Sequence, residues 1–208
     1  VLIVYAHHEP KSFNGAMKNL AVSVLTEQRH TVKVSNLYSM KFNPVANRQD
    51  FLNLPDDQEI NYMLMQKNTA EKGRFARDIE DEQDKVRWAD FILFQFPIWW
   101  FSAPAMLKGW FDRVLACGFA WDFGKTYSSG LLRGKKAMLS VTTGGEQAAY
   151  SEKGANLATI NQILHPIIHG TLFFCGMEVL PPFVAYGAFQ VGDQGRKRYL
   201  EEYKQRLL

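Results

Sequence analysis

The sequence predicts a doubly wound α/β fold, a five-stranded parallel sheet with helices on both faces. Three observations predict it. Short apolar runs alternate with stretches of helical period. Most of those runs are near-continuously apolar or β-branched, as in strands covered on both faces. The length of 208 residues and the hydrophobic content of 47% suit one core. Residues 1–208 are therefore expected to form a single domain.

Strands are expected at Val1–Ala6, Thr31–Ser35, Phe91–Phe96, Ala137–Thr142 and Met177–Tyr186. Pro181-Pro182 makes the last irregular or an edge strand, because proline has no N–H to give to a ladder. Between them, Met17, Leu20, Ala21, Val24 and Leu25 fall at helical spacing. So do Leu107, Trp110, Phe111, Val114 and Leu115, and then Ile160, Ile163, Leu164, Ile167 and Ile168, where Pro166 predicts a kink. A more polar helix is expected over Ile79–Trp88, and Tyr199, Leu200, Tyr203 and Leu207 mark a closing one. Residues Ser39–Arg77 break the alternation. With Pro44, Pro55, Asp56-Asp57 and the apolar Tyr62-Met63-Leu64-Met65, they read as a surface excursion partly ordered by packing on a neighbour.

Composition excludes several classes. A net charge of +3 with scattered basic residues does not describe a nucleic-acid binder. The apolar stretch Phe91–Phe111 is interrupted by Gln95, Pro97, Ser102 and Pro104, which suits a buried strand, a loop and a helix better than a membrane span. No secretory signal pattern is visible. Cys117 and Cys175 form no metal or redox spacing and are expected as buried, reduced thiols in a cytoplasmic protein. His165 and His169 share a helix face, but no third ligand is evident, so no metal is expected.

In an open α/β sheet, ligands bind beyond the carboxyl ends of the strands, where the strand order switches. The loops after strands one, three and four are all unusual. The first, His7 to Ala16, contains Ser12 and Asn14 and leads into a helix. Hydroxyl and N–H groups there can meet an anion, or Ser12 can simply cap the helix. The second, Pro97-Ile98-Trp99-Trp100-Phe101-Ser102-Ala103-Pro104, sets three successive aromatics at the mouth of the sheet, where a flat ligand explains them better than exposure. The third, Thr142-Thr143-Gly144-Gly145, allows close backbone approach or a tight turn, and Tyr150 follows it. Together these loops describe a site for a planar heterocycle with a phosphate tail: a flavin nucleotide on a flavodoxin-like sheet.

The run Ala6-His7 through Lys11-Ser12-Phe13-Asn14, then Phe94-Gln95-Phe96-Pro97 with Trp100-Phe101, then Leu107-Lys108-Gly109-Trp110-Phe111-Asp112-Arg113-Val114, then Thr142-Thr143-Gly144-Gly145 with Tyr150, resembles the NAD(P)H:quinone oxidoreductase (DT-diaphorase) family. The resemblance spans nearly the whole chain, and its lack of a long C-terminal extension is similar to bacterial, short members. It implies a homodimer with active sites at the interface and a ping-pong transfer of two electrons from NAD(P)H through the flavin to a quinone. By matching position, it implies that His7, Ser12, Phe13, Asn14 and Ala16 hold the phosphates and ribityl chain. Pro97, Ile98, Trp99, Trp100 and Phe101 would line the ring, and Thr142, Thr143, Gly144 and Gly145 would approach its pyrimidine end. Arg196 and Leu200 match positions that border an adenosine, which favours FAD over FMN. Tyr150, with Gly145 and Asn156, would form the catalytic set.

The chain departs from the mammalian pattern at two points. Asn156 stands where a histidine partners the tyrosine, and asparagine cannot change charge near neutral pH. Trp121 and Phe123 replace two tyrosines contributed by the partner subunit. With Trp100, Phe101 and Phe174 they form the expected substrate-binding set. Neighbouring readings are an azo- or nitroreductase of the same fold, and a flavodoxin-type electron carrier, which would be shorter and more acidic. A third is an ancillary subunit docked on a membrane potassium-efflux transporter. Pro181-Pro182-Phe183 and the Tyr203–Leu208 end resemble that last group, with no further support for such docking.

Overall fold

A computed structural model describes residues 1–52, 54–55, 59–72 and 74–208; Asp56 and Asp57 lie outside the described residues. Five strands, β1 (Leu2–Tyr5), β2 (Lys33–Asn36), β3 (Phe91–Pro97), β4 (Lys136–Thr142) and β5 (Glu178–Ala185), pair in the order β2-β1-β3-β4-β5. Every pairing is parallel. The chain runs outward from β1 to β2, then returns to the other side of β1 for β3. The strand order therefore switches between β1 and β3.

Alternate residues of the central strands enter two separate cores, because successive side chains point to opposite faces. Ile3, Leu93 and Met138 pack with α1 (Phe13–Glu27) and α6 (Gly192–Leu207) through Met17, Ala21 and Tyr203. Leu2, Val4, Ile92, Phe94 and Phe96 pack on the opposite face with α4 (Ala105–Val114) and α5 (Ile160–Ile167), through Trp110, Phe111 and Leu164. The apolar stretch Phe91–Phe111 resolves into β3, a turn and most of α4. Among the described residues, no helix is long and apolar enough to cross a membrane.

Three expectations need correction or detail. The second strand is not covered on both faces: Lys33 and Val34 are exposed and only Ser35 is buried, since β2 is an edge strand. At the other edge, Pro181-Pro182 coincides with a shift in register on β4 between Met138 and Ser140. Beyond Pro166 the helix widens into a π-helical turn, Ile168–Phe173, with Thr171 Oγ1 donating to the Pro166 carbonyl at 3.2 Å.

The excursion is more ordered than its prolines suggest. Tyr62-Met63-Leu64-Met65 begins a helix, α2 (Tyr62–Lys72), which precedes α3 (Arg77–Trp88). Tyr62 and Met65 join a small core of Phe51, Phe75 and Ile79. Its main anchor is Arg113 on α4, buried to 2% exposure. Arg113 donates to Asp50 through Nε at 3.0 Å and Nη2 at 2.8 Å, and to Asp78 and the Asn43 carbonyl at 2.6 Å each. Tyr62 also donates to Asp50. Gly109 lets the Pro44 carbonyl sit against α4, since a Cβ there would lie 2.0 Å from it. The neighbour that orders the excursion is thus α4 of the same chain. A buried carboxylate that loses its guanidinium keeps its full desolvation cost. Arg113→Ala is therefore expected to lower stability by about 3–5 kcal/mol in urea unfolding. A loss below about 1 kcal/mol would show that the excursion is held by its apolar contacts alone.

Candidate active site

Beyond the carboxyl ends of β1, β3, β4 and β5 lies a cleft of about 550 Å³. His7, Ser12, Phe13 and Asn14 line it from the first loop. Pro97, Ile98 and Trp99 follow from the second, and Thr142, Thr143 and Gly144 from the third. The structure thus brings together the three loops singled out in the sequence. It adds Ala188, Phe189 and Arg196 from the β5–α6 connection.

Ser12 is the N-cap of α1, with Oγ accepting from Gly15 N–H at 3.1 Å. Capping and ligand binding are compatible here. The Ser12 hydroxyl also interacts with the Tyr5 phenol, and the Phe13 and Asn14 N–H groups make no hydrogen bond among the described residues. Aligned peptide dipoles add partial positive charge at this end of the helix. His7 Nδ1 lies 3.0 Å from the Glu9 N–H and 3.2 Å from the Glu9 carbonyl, so it accepts from the first when bare and donates to the second when protonated. Burial, and secondarily the neighbouring His8, lower the His7 pKa, so the ring is neutral at pH 7. The imidazoles of His7 and His8 stack at 4.7 Å, and each lies 6.0 Å from the Trp99 ring, tying the first loop to the second.

The aromatic loop is a two-residue turn closed by reciprocal bonds of 3.0 Å between Trp99 and Ser102. Trp100 and Phe101 occupy its centre with φ of 48° and 56°. This left-handed conformation costs non-glycine residues of order 1–3 kcal/mol each. It throws Trp100 into solvent at 95% exposure, with Phe101 half-exposed. Neither ring lines the cleft of its own chain, although Trp99 beside them does.

The third and fourth loops are laced together. Gly187 N–H reaches Gly145 O at 2.9 Å, Ala188 N–H reaches Thr143 O at 3.2 Å, and Gln190 Nε2 reaches Gly144 O at 2.8 Å. This holds Phe189 over the cleft although 73% of it is exposed. The nearest atom to a Cβ built on Gly144 would be Phe189 Cε1 at 3.5 Å, so the glycine leaves an open cradle. Arg196 donates to Ala188 O at 3.2 Å and pairs with Asp193. No lining residue is acidic. Unpaired N–H groups at a helix N-terminus, an arginine, a flat aromatic wall and a glycine cradle fit a nucleotide with a planar ring.

Other expected residues lie outside the cleft. The Tyr150 ring rests on Gly145, with its hydroxyl 3.6 Å from the Cβ position there, and faces Tyr186 at 5.5 Å. Asn156 is tied by its backbone to Ala149 O at 3.1 Å, and its amide makes no bond to Tyr150 among the described residues. Ala16 lies one turn into α1, and Leu200 packs into the α1–α6 core. Trp121, Phe123 and Phe174 cluster elsewhere, with ring separations of 6.3 and 5.4 Å; Trp121 and Phe174 line a different recess.

Both cysteines are buried and free; burial raises the Cys117 thiol and pushes Cys175 up to about 12, so neither is a nucleophile. His165 and His169 stack at 4.9 Å, and no group of three or more potential metal ligands occurs among the described residues. Phe189 escaped the sequence reading because nothing marks a lone phenylalanine after an edge strand. Its only signal was a large apolar residue in a loop beside Gly187.

The family described as having a flavodoxin-like fold matches residues 1–207. The human ribosyldihydronicotinamide dehydrogenase [quinone] is 48% identical over 208 residues, covering 100% of this chain and 90% of the relative. NAD(P)H dehydrogenase [quinone] 1 of Cavia porcellus is 44% identical over 207 residues, covering 99% of this chain and 75% of the relative. A solved structure from Klebsiella pneumoniae, provisionally assigned as a quinone reductase, superposes with a TM-score of 0.94 at 41% identity, covering 99% of this chain and 82% of that one. With the fold, the converging loops and these identities in agreement, the chain belongs to the NAD(P)H:quinone oxidoreductase family.

Proposed function

We propose that this chain is a flavin-dependent oxidoreductase that takes two electrons from a reduced nicotinamide and delivers them to a quinone. The observation that carries the reading is the single cleft in which the phosphate-type, aromatic and glycine loops meet. The relatives named above, all quinone dehydrogenases or reductases, agree with it. A bound flavin supplies the two-electron redox chemistry. The protein supplies binding, orientation and charge stabilisation.

The N-terminus of α1, with the Ser12 hydroxyl and the Phe13 and Asn14 N–H groups, would hold a phosphate. Pro97, Ile98 and Trp99 would form one wall against a planar ring, and Thr142, Thr143 and Gly144 its floor. Tyr150, on the Gly145 side, would donate its phenolic proton to an oxygen that gains negative charge on reduction. Asn156 offers a neutral amide there, which removes a histidine titration from the pH profile. Phe189 and Arg196, on the side where α6 packs against α1, favour FAD over FMN, because they offer a stacking face and a cation beyond the phosphate position. The chain is read as one flavin-binding domain, and its free buried thiols suit the cytoplasm.

A homodimer completes the reading. Trp100, Phe101 and Phe123 are large, exposed and apolar, and the Trp121, Phe123 and Phe174 cluster lies away from its own chain's cleft. A second copy would cover these rings and present them over its own site. A second reading concerns the donor. The human relative named for ribosyldihydronicotinamide is more similar than the one named for NAD(P)H, and matches over more of its length. The smaller donor is therefore the competitor to NAD(P)H.

Purified protein is expected to carry one flavin per chain, FAD on chromatography of the released chromophore, and to reduce quinones with a dihydronicotinamide. A colourless protein that refuses added flavin overturns the reading. Parallel assays with NADH, NADPH and ribosyldihydronicotinamide decide the donor. Tyr150→Phe is expected to slow flavin reduction or quinone turnover by about 10- to 100-fold in stopped flow, as for a lost charge-stabilising donor; unchanged rates for both steps remove Tyr150 from the chemistry. Phe189→Ala is expected to weaken FAD by about 1–3 kcal/mol, the scale of base–aromatic stacking, and to leave FMN affinity unchanged. Equal losses for both flavins, read by titration of the apoprotein, exclude Phe189 from the adenine side.

A further inference from the structure

Beneath the cleft runs a chain of polar side chains that the proposed reaction does not use. Tyr203 of α6 is fully buried among Ile3, Met17, Leu93 and Met138. Phenylalanine would fill that space equally well, and a hydroxyl in an apolar core is costly unless bonded. Its hydroxyl meets Gln95 Oε1 at 3.4 Å. Gln95 Nε2 donates to Asn14 Oδ1 at 2.9 Å, and Asn14 Nδ2 donates to Thr142 Oγ1 at 2.8 Å. All four side chains are at least 95% buried, and both Asn14 and Thr142 line the cleft.

The chain has a direction. An amide oxygen only accepts and an amide nitrogen only donates. With Gln95 Oε1 facing it, the Tyr203 hydroxyl donates to Gln95, and each amide in turn passes a donor toward the cleft; Ser140 Oγ, buried and otherwise unpartnered, lies beside the same phenol and can donate to it. Gln95 Nε2 also faces Met17 Sδ at 3.9 Å, a weak acceptor, which suits the same orientation. Burial raises the phenol's pKa, against a smaller opposing effect from Ser140, which favours the protonated phenol. With Asn14 donating to it, Thr142 Oγ1 cannot give its own proton to Asn14, and no protein acceptor for that proton occurs among the described residues. With both amides reversed, the Thr142 proton would go to Asn14 and the cleft would lose a donor.

We propose that Tyr203 is a positioning residue: through Gln95 and Asn14 it fixes the Thr142 hydroxyl as a hydrogen-bond donor into the cleft. This rests on the flavin reading, and the group it would serve is an acceptor oxygen of the bound flavin nucleotide. Tyr203 reaches Thr142 through two amides, so non-additive losses in flavin affinity without matching non-additivity in thermal unfolding are a signature that a packing role does not produce.

The test is a double-mutant cycle read in flavin affinity. FAD and FMN are titrated into the apoproteins of the wild type, Tyr203→Phe, Thr142→Val and the double variant, with thermal unfolding of each followed in parallel. Each single change is expected to weaken flavin binding about fivefold, one neutral hydrogen bond. The double variant is expected to bind no more weakly than Thr142→Val alone. Thr142→Ser, which keeps the hydroxyl, is expected to bind like the wild type and to remain sensitive to Tyr203→Phe. Thr142→Ala replaces Thr142→Val should the latter not fold. Unchanged affinity in Tyr203→Phe, or losses that multiply in the double variant, overturn the proposal. A wild type that binds neither flavin overturns the flavin reading itself, and that result is read first.

Discussion

Parallel pairing of β1, β3 and β4 is the constraint on which everything else in this molecule rests. Parallel strands place all their carboxyl ends on one side, and each crossover must leave from that side. A strand order that reverses between β1 and β3 sends the first loop and the second in opposite directions, which opens a crevice between them. The hydrogen bonds continue past the strands. Ala6 N–H reaches Gln95 O at 3.0 Å and Ile98 N–H reaches Thr142 O at 2.8 Å, so each loop leaves a fixed point. Loops anchored in this way can carry a strained turn such as Trp100-Phe101 without relaxing.

The same sheet needs cover on both faces, and the two faces are covered differently. One takes α1 and α6, whose contact brings Arg196 beside the N-terminus of α1. The other takes α4, and α4 in turn carries the excursion through Arg113. That guanidinium gathers Asp50, Asp78 and the Asn43 carbonyl, so close ion pairs and a small apolar core together hold the segment in place. Glu82 plays a related part on α3, accepting from Trp110 Nε1 at 2.8 Å and Ser35 Oγ at 3.0 Å. Buried charges here are fully partnered, which is what makes them tolerable.

Within the cleft, donors outnumber acceptors. The helix N-terminus and the Thr142 hydroxyl present protons, Arg196 adds a cation held by Asp193 and the Ala188 carbonyl, and none of the described lining residues is acidic. A site of that kind favours a ligand rich in oxygen, and favours it more as negative charge grows. The aromatic residues supply the complementary, non-directional part of the binding: flat apolar faces at Trp99 and Phe189 that ask only for a planar partner.

Much of this was legible in the residues. Apolar runs at Phe91–Phe96 and Ala137–Thr142, helical spacing from Met17 to Leu25 and from Leu107 to Leu115, and three loops of unusual composition were local signals, so strands, helices and candidate loops could be read without coordinates. Other features depend on which distant residues meet. Tyr62–Lys72 reads in the sequence only as an apolar patch within a partly ordered excursion, because its helix is stabilised by a distant buried Asp50 and a small satellite core, not by its own periodicity. Trp100 stands in solvent outside the cleft lining, at the centre of a left-handed turn that no composition reveals. Phe189 and Tyr203 carry no local signal, since what places each of them is contact with a strand or loop more than 40 positions away. Periodicity and loop chemistry determined the fold class and the three loops that meet, because those are properties of neighbouring residues. The long-range pairing of strands and helices alone decided what stands in the cleft and which hydrogen-bond chain supports it.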